Sequence, residues 1–138
     1  MELHTHPLMV KLRSLQLPVS DFVVAGSGPL LAHGLREDVG DLDLVARGTA
    51  WKIALGLSDP VPTASGCGRR ILLFDGAVEV FDQWLPGTNG PDELIDGAEF
   101  IDGIPFCPLQ EVLAWKKRST RDKDRMDIAL ITNFLQGS

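Results

Sequence analysis

Two aspartates separated by a single leucine are the first feature of this 138-residue chain that could do chemistry. Asp41 and Asp43 belong to an acid–apolar alternation typical of a β-strand, so we expect both carboxylates on one face, about 6–7 Å apart at Cα. Two carboxylates at that distance repel each other unless a cation lies between them. Oxygen ligands of this kind suit Mg²⁺ or Mn²⁺. A solvated polar strand face is the alternative interpretation.

A glycine-serine turn precedes the aspartates, with 13 residues between Ser27 and Asp41. Gly26-Ser27 follows the apolar run 22–25, which predicts a buried strand, and Pro29 predicts the start of a helix. Glycine lets the backbone approach a phosphate closely, and a helix N-terminus offers unpaired N–H groups. The Ser27 hydroxyl would add one donor. The turn therefore fits a phosphate site, and a plain tight turn remains the alternative.

A third acid, Glu79, lies between two valines, where an unpaired carboxylate is costly. Asp75-Gly76 between two apolar runs predicts a β-hairpin, whose parity puts Arg70 on the face of Glu79. Arg70 is thus a candidate phosphate or substrate contact. Asp82 has the opposite parity and ranks second as the third acid. An edge position for Glu79 with no chemical role is the alternative.

A cluster of basic residues lies near the end of the chain. It comprises Lys116, Lys117, Arg118, Arg121, Lys123 and Arg125. One interpretation is a pair of solvated helices with local ion pairs, which contribute little to stability. The other places Lys116 and Lys123 at the phosphates of a nucleotide. Asp127, beside the apolar stripe of the last predicted helix, is expected to pair with one of these bases.

The composition limits the partners. A formal net charge of −6 and a pI of about 4.9 disfavour a large nucleic-acid surface, although a local patch keeps tRNA possible. Cys67 and Cys107 form no CxxC motif, which favours a reduced, cytoplasmic protein. Neither a signal peptide nor an apolar run of transmembrane length is found, so no membrane association is expected.

The elements that must position these residues alternate between helices and strands. Helices are predicted over 7–17, 29–36, 49–57, 108–118 and 122–135, and strands over 22–25, 41–45, 69–74, 77–81, 99–101 and 104–106. This order predicts a single α/β domain over 1–138, with a mixed sheet of about five strands flanked by helices. The C-terminal helices are expected over about 108–136.

Together these residues resemble a known family. Gly26-Ser27, the Asp41-x-Asp43 pair and a later acid on a strand are similar to the nucleotidyltransferase fold of the DNA polymerase β superfamily. The resemblance to its small bacterial members, of the minimal antibiotic type or the toxin type, runs from about Phe22 to Phe134. The tail, Leu113-Ala114-Trp115-Lys116 followed by the segment 121–127, also resembles the end of these proteins.

The resemblance implies a two-metal transfer of a nucleoside monophosphate from a nucleoside triphosphate, such as ATP, to a hydroxyl acceptor. Asp41, Asp43 and Glu79 would hold the Mg²⁺ ions, while Gly26 and Ser27 would bind the triphosphate. The acceptor could be a small molecule such as an antibiotic, a protein side chain or a tRNA end. A single domain leaves no separate acceptor domain, which predicts a homodimer. The alternative is a nucleotidyltransferase-like module that binds a nucleotide or partner without turnover.

Overall fold

The computed structural model describes residues 3–64, 66–85, 90–119 and 121–137, apart from the side chain of Lys123. Its centre is a mixed sheet of seven strands in the order β3-β4-β5-β2-β1-β7-β6. The strands are β1 (Phe22–Ala25), β2 (Leu42–Ala46), β3 (Val61–Pro62), β4 (Arg69–Leu73), β5 (Val78–Phe81), β6 (Glu99–Ile101) and β7 (Ile104–Phe106). Strand β2 lies between β1, to which it is antiparallel, and β5, to which it is parallel.

Within the described residues, six α-helices cover the two faces of this sheet. They are α1 (Pro7–Ser14), α2 (Gly28–Ala32), α3 (Gly48–Leu57), α4 (Pro91–Asp96), α5 (Leu109–Lys117) and α6 (Asp122–Gln136). Alternate residues of β2 point to opposite faces, so Leu44 packs in the core with helices α1 and α3. Val45 packs in the second core, with α4, α5 and α6. Asp43 has the parity of Val45 and therefore points to the face that α5 and α6 cover.

The α/β class is confirmed, but the sheet has seven strands and not about five as predicted. The hairpin of β6 and β7 joins the same sheet through a parallel pairing of Val24 with Phe106. The two-residue strand β3 adds a further edge beside β4. No strand was predicted there, because the strand contains Pro62 and so short a strand leaves little periodicity in the sequence.

Helix boundaries also differ from the prediction at several ends. Helix α1 ends at Ser14 rather than residue 17, and Gln16 adopts a positive φ of 53° that no helix continues through. Helix α2 ends at Ala32 rather than 36, two residues before Gly34 with φ 73°. Helix α4 was not predicted from the sequence. Helices α5 and α6 lie within the predicted range 108–136.

The predicted hairpin over Asp75-Gly76 is confirmed. Both residues have positive φ, and the Ala77 amide donates to the Phe74 carbonyl at 3.1 Å, which closes a tight turn. The turn fixes the register, with Leu72 opposite Glu79. The face shared by Arg70 and Glu79 is thereby confirmed as well.

Within the part of the chain that the structure describes, no helix has the length and apolar character needed to cross a bilayer.

Candidate metal and phosphate site

The sheet register brings the three predicted acids together. Asp43 on β2 is paired in register with Glu79 on β5. Asp41 was predicted as the first residue of this strand, but the strand begins at Leu42 and Asp41 directly precedes it. One carboxylate oxygen from each of the three residues lies within 4.8 Å of the others. Such a set of oxygens could hold a divalent cation, since Mg²⁺ and Mn²⁺ prefer carboxylate ligands.

The charges around Glu79 show how the acids affect one another. Burial raises the pKa of the Glu79 carboxyl above its ordinary value, the Asp41 carboxylate raises it further, and the Arg70 guanidinium lowers it. Arg70 Nη1 lies 3.6 Å from Glu79 Oε2, which is an ion pair longer than a hydrogen bond. A cation bound among the three carboxylates, in addition to Arg70, would therefore be attracted by all three acids.

The glycine-serine turn lies directly beside this group. Ala25, the last residue of β1, is paired with Asp43, so Gly26 begins the turn at the edge of the acids. Gly26 has a φ of 62°, and a Cβ on it would lie 2.5 Å from Asp43 Oδ2. Only glycine fits there without moving the carboxylate, because side-chain carbons do not approach other atoms so closely.

Lys116 on α5 connects the turn to the C-terminal helices. Its ammonium group lies 3.1 Å from Ser27 Oγ, 3.2 Å from Asp124 Oδ1 and 2.9 Å from Asp127 Oδ2. The contacts with Ser27 and Asp124 are hydrogen bonds, and the contact with Asp127 is an ion pair. Because Ser27 Oγ accepts from Lys116, its own proton is directed elsewhere and can be donated to a ligand. The predicted pairing of Asp127 with a base is confirmed.

Two arginines complete this charged group, and neither was among the predicted site residues. Arg36 Nη1 donates to Asp127 Oδ1 at 3.3 Å, and Arg121 Nε donates to Asp124 Oδ2 at 2.9 Å. Asp124 and Asp127 are buried, whereas both guanidinium groups are partly exposed. The buried carboxylates therefore hold three cations near the turn, and two of these cations still face solvent.

One cavity of about 720 Å³ joins the acids, the turn and the cations, which is large enough for a nucleotide-sized ligand. Phe81, Trp84 and Trp115 form an aromatic part of its wall. Trp84 is 8% exposed, and its indole Nε1 has no hydrogen-bond partner among the described residues. A buried donor without an acceptor costs free energy.

The structure places seven of the eight predicted site residues on the wall of this cavity. They are Gly26, Ser27, Asp41, Asp43, Arg70, Glu79 and Lys116. Lys123 is in helix α6, but its side chain lies outside the described residues. Asp82, the second candidate for the third acid, instead accepts from the backbone and side chain of Arg69.

A first prediction concerns Asp124 and the pH dependence of stability. Burial raises the pKa of this carboxyl, but hydrogen bonds from Ser119, Lys116 and Arg121 outweigh it, so the pKa is lowered overall. Its contribution to folding is therefore complete above the unfolded pKa, about 3.9, and is lost as pH falls through the lower folded pKa. We expect Asp124→Asn to lower the free energy of unfolding by about 2 kcal/mol at pH 7.

The measurement is urea denaturation between pH 7 and pH 3. The difference between the wild type and Asp124→Asn should shrink as the pH falls, since the wild-type carboxyl becomes protonated. Asp122→Asn is the matched control because the Asp122 side chain is 92% exposed. A difference that stays constant down to pH 3 would contradict the prediction.

A comparison with protein-family models finds no match, and comparisons with curated proteins and with solved structures find no significant match.

Proposed function

We propose that the protein is a metal-dependent nucleotidyltransferase, which moves a nucleoside monophosphate from a nucleoside triphosphate to a hydroxyl group. The observation that carries this proposal is the convergence of Asp41, Asp43 and Glu79 within 4.8 Å in the cavity that also contains the turn at Gly26-Ser27. Acids that can hold a cation and a turn that can hold a phosphate are the two parts that such a transfer needs.

Asp41, Asp43 and Glu79 would hold Mg²⁺ or Mn²⁺, and their carboxylate oxygens fit the preference of these ions. When bound, the ions supply charge neutralisation and Lewis acidity at the reacting phosphate. Glu79 would accept the proton of the acceptor hydroxyl as the new oxygen–phosphorus bond forms. The bond between the α-phosphate and the β-phosphate then breaks, and pyrophosphate leaves.

The turn and the helices would position the triphosphate. Gly26 allows the backbone to approach it, and the Ser27 hydroxyl, whose oxygen accepts from Lys116, has its proton available for a phosphate oxygen. Lys116 would then act mainly through Ser27, whereas Arg70 and the exposed part of Arg121 would contact the phosphates as charges. Positioning and electrostatics of this kind supply most of the rate in phosphoryl transfer.

The acceptor is a small molecule or a protein, and a tRNA end is the least favoured because the chain carries a net charge of −6. A homodimer that completes the acceptor site and a cytoplasmic location stay predictions from the sequence.

Calorimetry with each nucleoside triphosphate, with and without Mg²⁺, tests the proposal. We expect binding that requires the metal, together with transfer of a labelled α-phosphate into a panel of antibiotics, cell protein or total tRNA. Nucleoside triphosphate binding that needs no metal and persists in Asp41→Ala and Asp43→Ala would contradict the proposal that the protein is an enzyme. That result would instead support the alternative, a module that binds a nucleotide or a partner without turnover.

A further inference from the structure

Arg70 forms an ion pair with one of the acids, and one of its own donors has no partner among the described residues. Its Nη1 lies 3.6 Å from Glu79 Oε2, beyond hydrogen-bond distance, and its Nε is buried with no partner among the described residues. The side chains of Arg70 and Glu79 are 31% and 18% exposed. A guanidinium on a cavity wall whose donors are not all used can donate to an anionic oxygen of a ligand.

The position of Arg70 also makes it a competitor of a metal ion. Arg70 and Glu79 share one face of the β4–β5 hairpin, and Glu79 is in turn paired in register with Asp43. The carboxylate that would complete the metal site is therefore the one that pairs with Arg70. A divalent cation at the acids must share Glu79 with Arg70, or replace Arg70 there.

We infer that Arg70 couples the loading of the cation to the binding of the phosphate. Arg70 pairs with Glu79 until a divalent cation binds the acids, and the cation then releases the guanidinium for a phosphate oxygen of the ligand. The chain thus binds the metal alone weakly and binds metal and polyphosphate together strongly. This inference rests on the proposed function, because it assumes a divalent cation at Asp41, Asp43 and Glu79.

The coupling predicts that one substitution moves two affinities in opposite directions. Arg70→Gln removes the competing charge, so the affinity for Mn²⁺ alone should rise about tenfold. The same substitution removes the phosphate contact, so the affinity for inorganic tripolyphosphate at a constant free Mn²⁺ concentration should fall about tenfold. A residue with a merely structural role would change both affinities in the same direction.

The experiment measures both affinities by calorimetry, and by the fluorescence of Trp84 and Trp115 on the cavity wall. The sequence has no tyrosine, so the emission comes from these two residues and from Trp51, which lies outside the cavity wall. Because Arg69 lies over the Trp51 ring, calorimetry decides the comparison with the Arg69 variant. Arg69→Gln is the matched control. It removes the same charge from the preceding residue of β4, whose side chain pairs with Asp82. Arg70→Lys, which keeps the charge, should retain most of the coupling.

The outcomes separate this inference from the proposed function. If the wild type and Arg70→Gln both bind Mn²⁺, and Arg70→Gln binds it no more tightly than the wild type, the inference about Arg70 is wrong and the proposed metal site stands. If neither protein binds Mn²⁺, both proposals are wrong. Mn²⁺ binding by Arg70→Gln that is much tighter than in the wild type, with weaker tripolyphosphate binding, would support the coupling.

Discussion

Asp41→Asn should lower the affinity for Mn²⁺ at least about 100-fold, since it removes one of the charged oxygen ligands on which binding of a divalent cation depends. The same substitution should leave the metal-free protein as stable as the wild type or more stable by about 1 kcal/mol. The reason is that the Asp41 carboxylate disfavours ionisation of Glu79, since it raises the pKa of Glu79 in addition to the larger effect of burial. Asparagine keeps the size of the side chain and removes this repulsion.

Calorimetry or electron paramagnetic resonance gives the Mn²⁺ affinity, and urea denaturation gives the free energy of unfolding. Asp82→Asn is the matched control, because it removes an acid that lies outside the group and accepts from Arg69. We expect this control to bind Mn²⁺ as the wild type does. An Asp41→Asn protein that is both much less stable and still able to bind Mn²⁺ would show that the acids are structural.

Gly26→Ala should abolish Mn²⁺ binding although it replaces none of the three acids. A Cβ at this position would lie 2.5 Å from Asp43 Oδ2 and 3.3 Å from its Cγ, so the carboxylate must move. The φ of 62° also strains any residue other than glycine, at a cost of roughly 1–2 kcal/mol. The displacement of the Asp43 carboxylate lowers the affinity for Mn²⁺, whereas the backbone strain lowers the free energy of unfolding.

Gly34→Ala separates these two effects. Gly34 has a similar φ of 73°, but a Cβ there would meet nothing within 4 Å. We expect Gly34→Ala to lose roughly 1–2 kcal/mol of stability and to bind Mn²⁺ normally. The measurements are the same calorimetry and urea denaturation. Equal Mn²⁺ binding by the two variants would contradict the role assigned to the contact between Gly26 and Asp43.

The parts of the site that follow from local chemistry were predicted from the sequence. The period of two along a strand puts Asp41 and Asp43 on one face, and the Asp75-Gly76 turn sets the parity of Arg70 and Glu79. Both inferences need only a few consecutive residues. The pairing of Asp43 with Glu79 in neighbouring strands completes the group, and that pairing depends on the order of the strands in the sheet.

The parts that depend on long-range packing were not predicted. Arg36 reaches Asp127 across 91 residues, and no pattern in the sequence joins these positions. The place of β7 beside β1 depends on a parallel pairing that has no local signal. For helix α4, a signal was present in Pro91 and the acids of its first turn, which are typical of a helix start.

The contact between Lys116 and Ser27 affects the order in which the parts of the site form during synthesis and folding. The two residues are 89 positions apart, so the residues that hold the turn are synthesised long after the turn itself. A growing chain that has passed residue 79 already carries all three acids, yet Ser27 still lacks Lys116. Since long-range contacts form late in folding, the group that holds the turn at Gly26-Ser27 is completed only when the last two helices have docked.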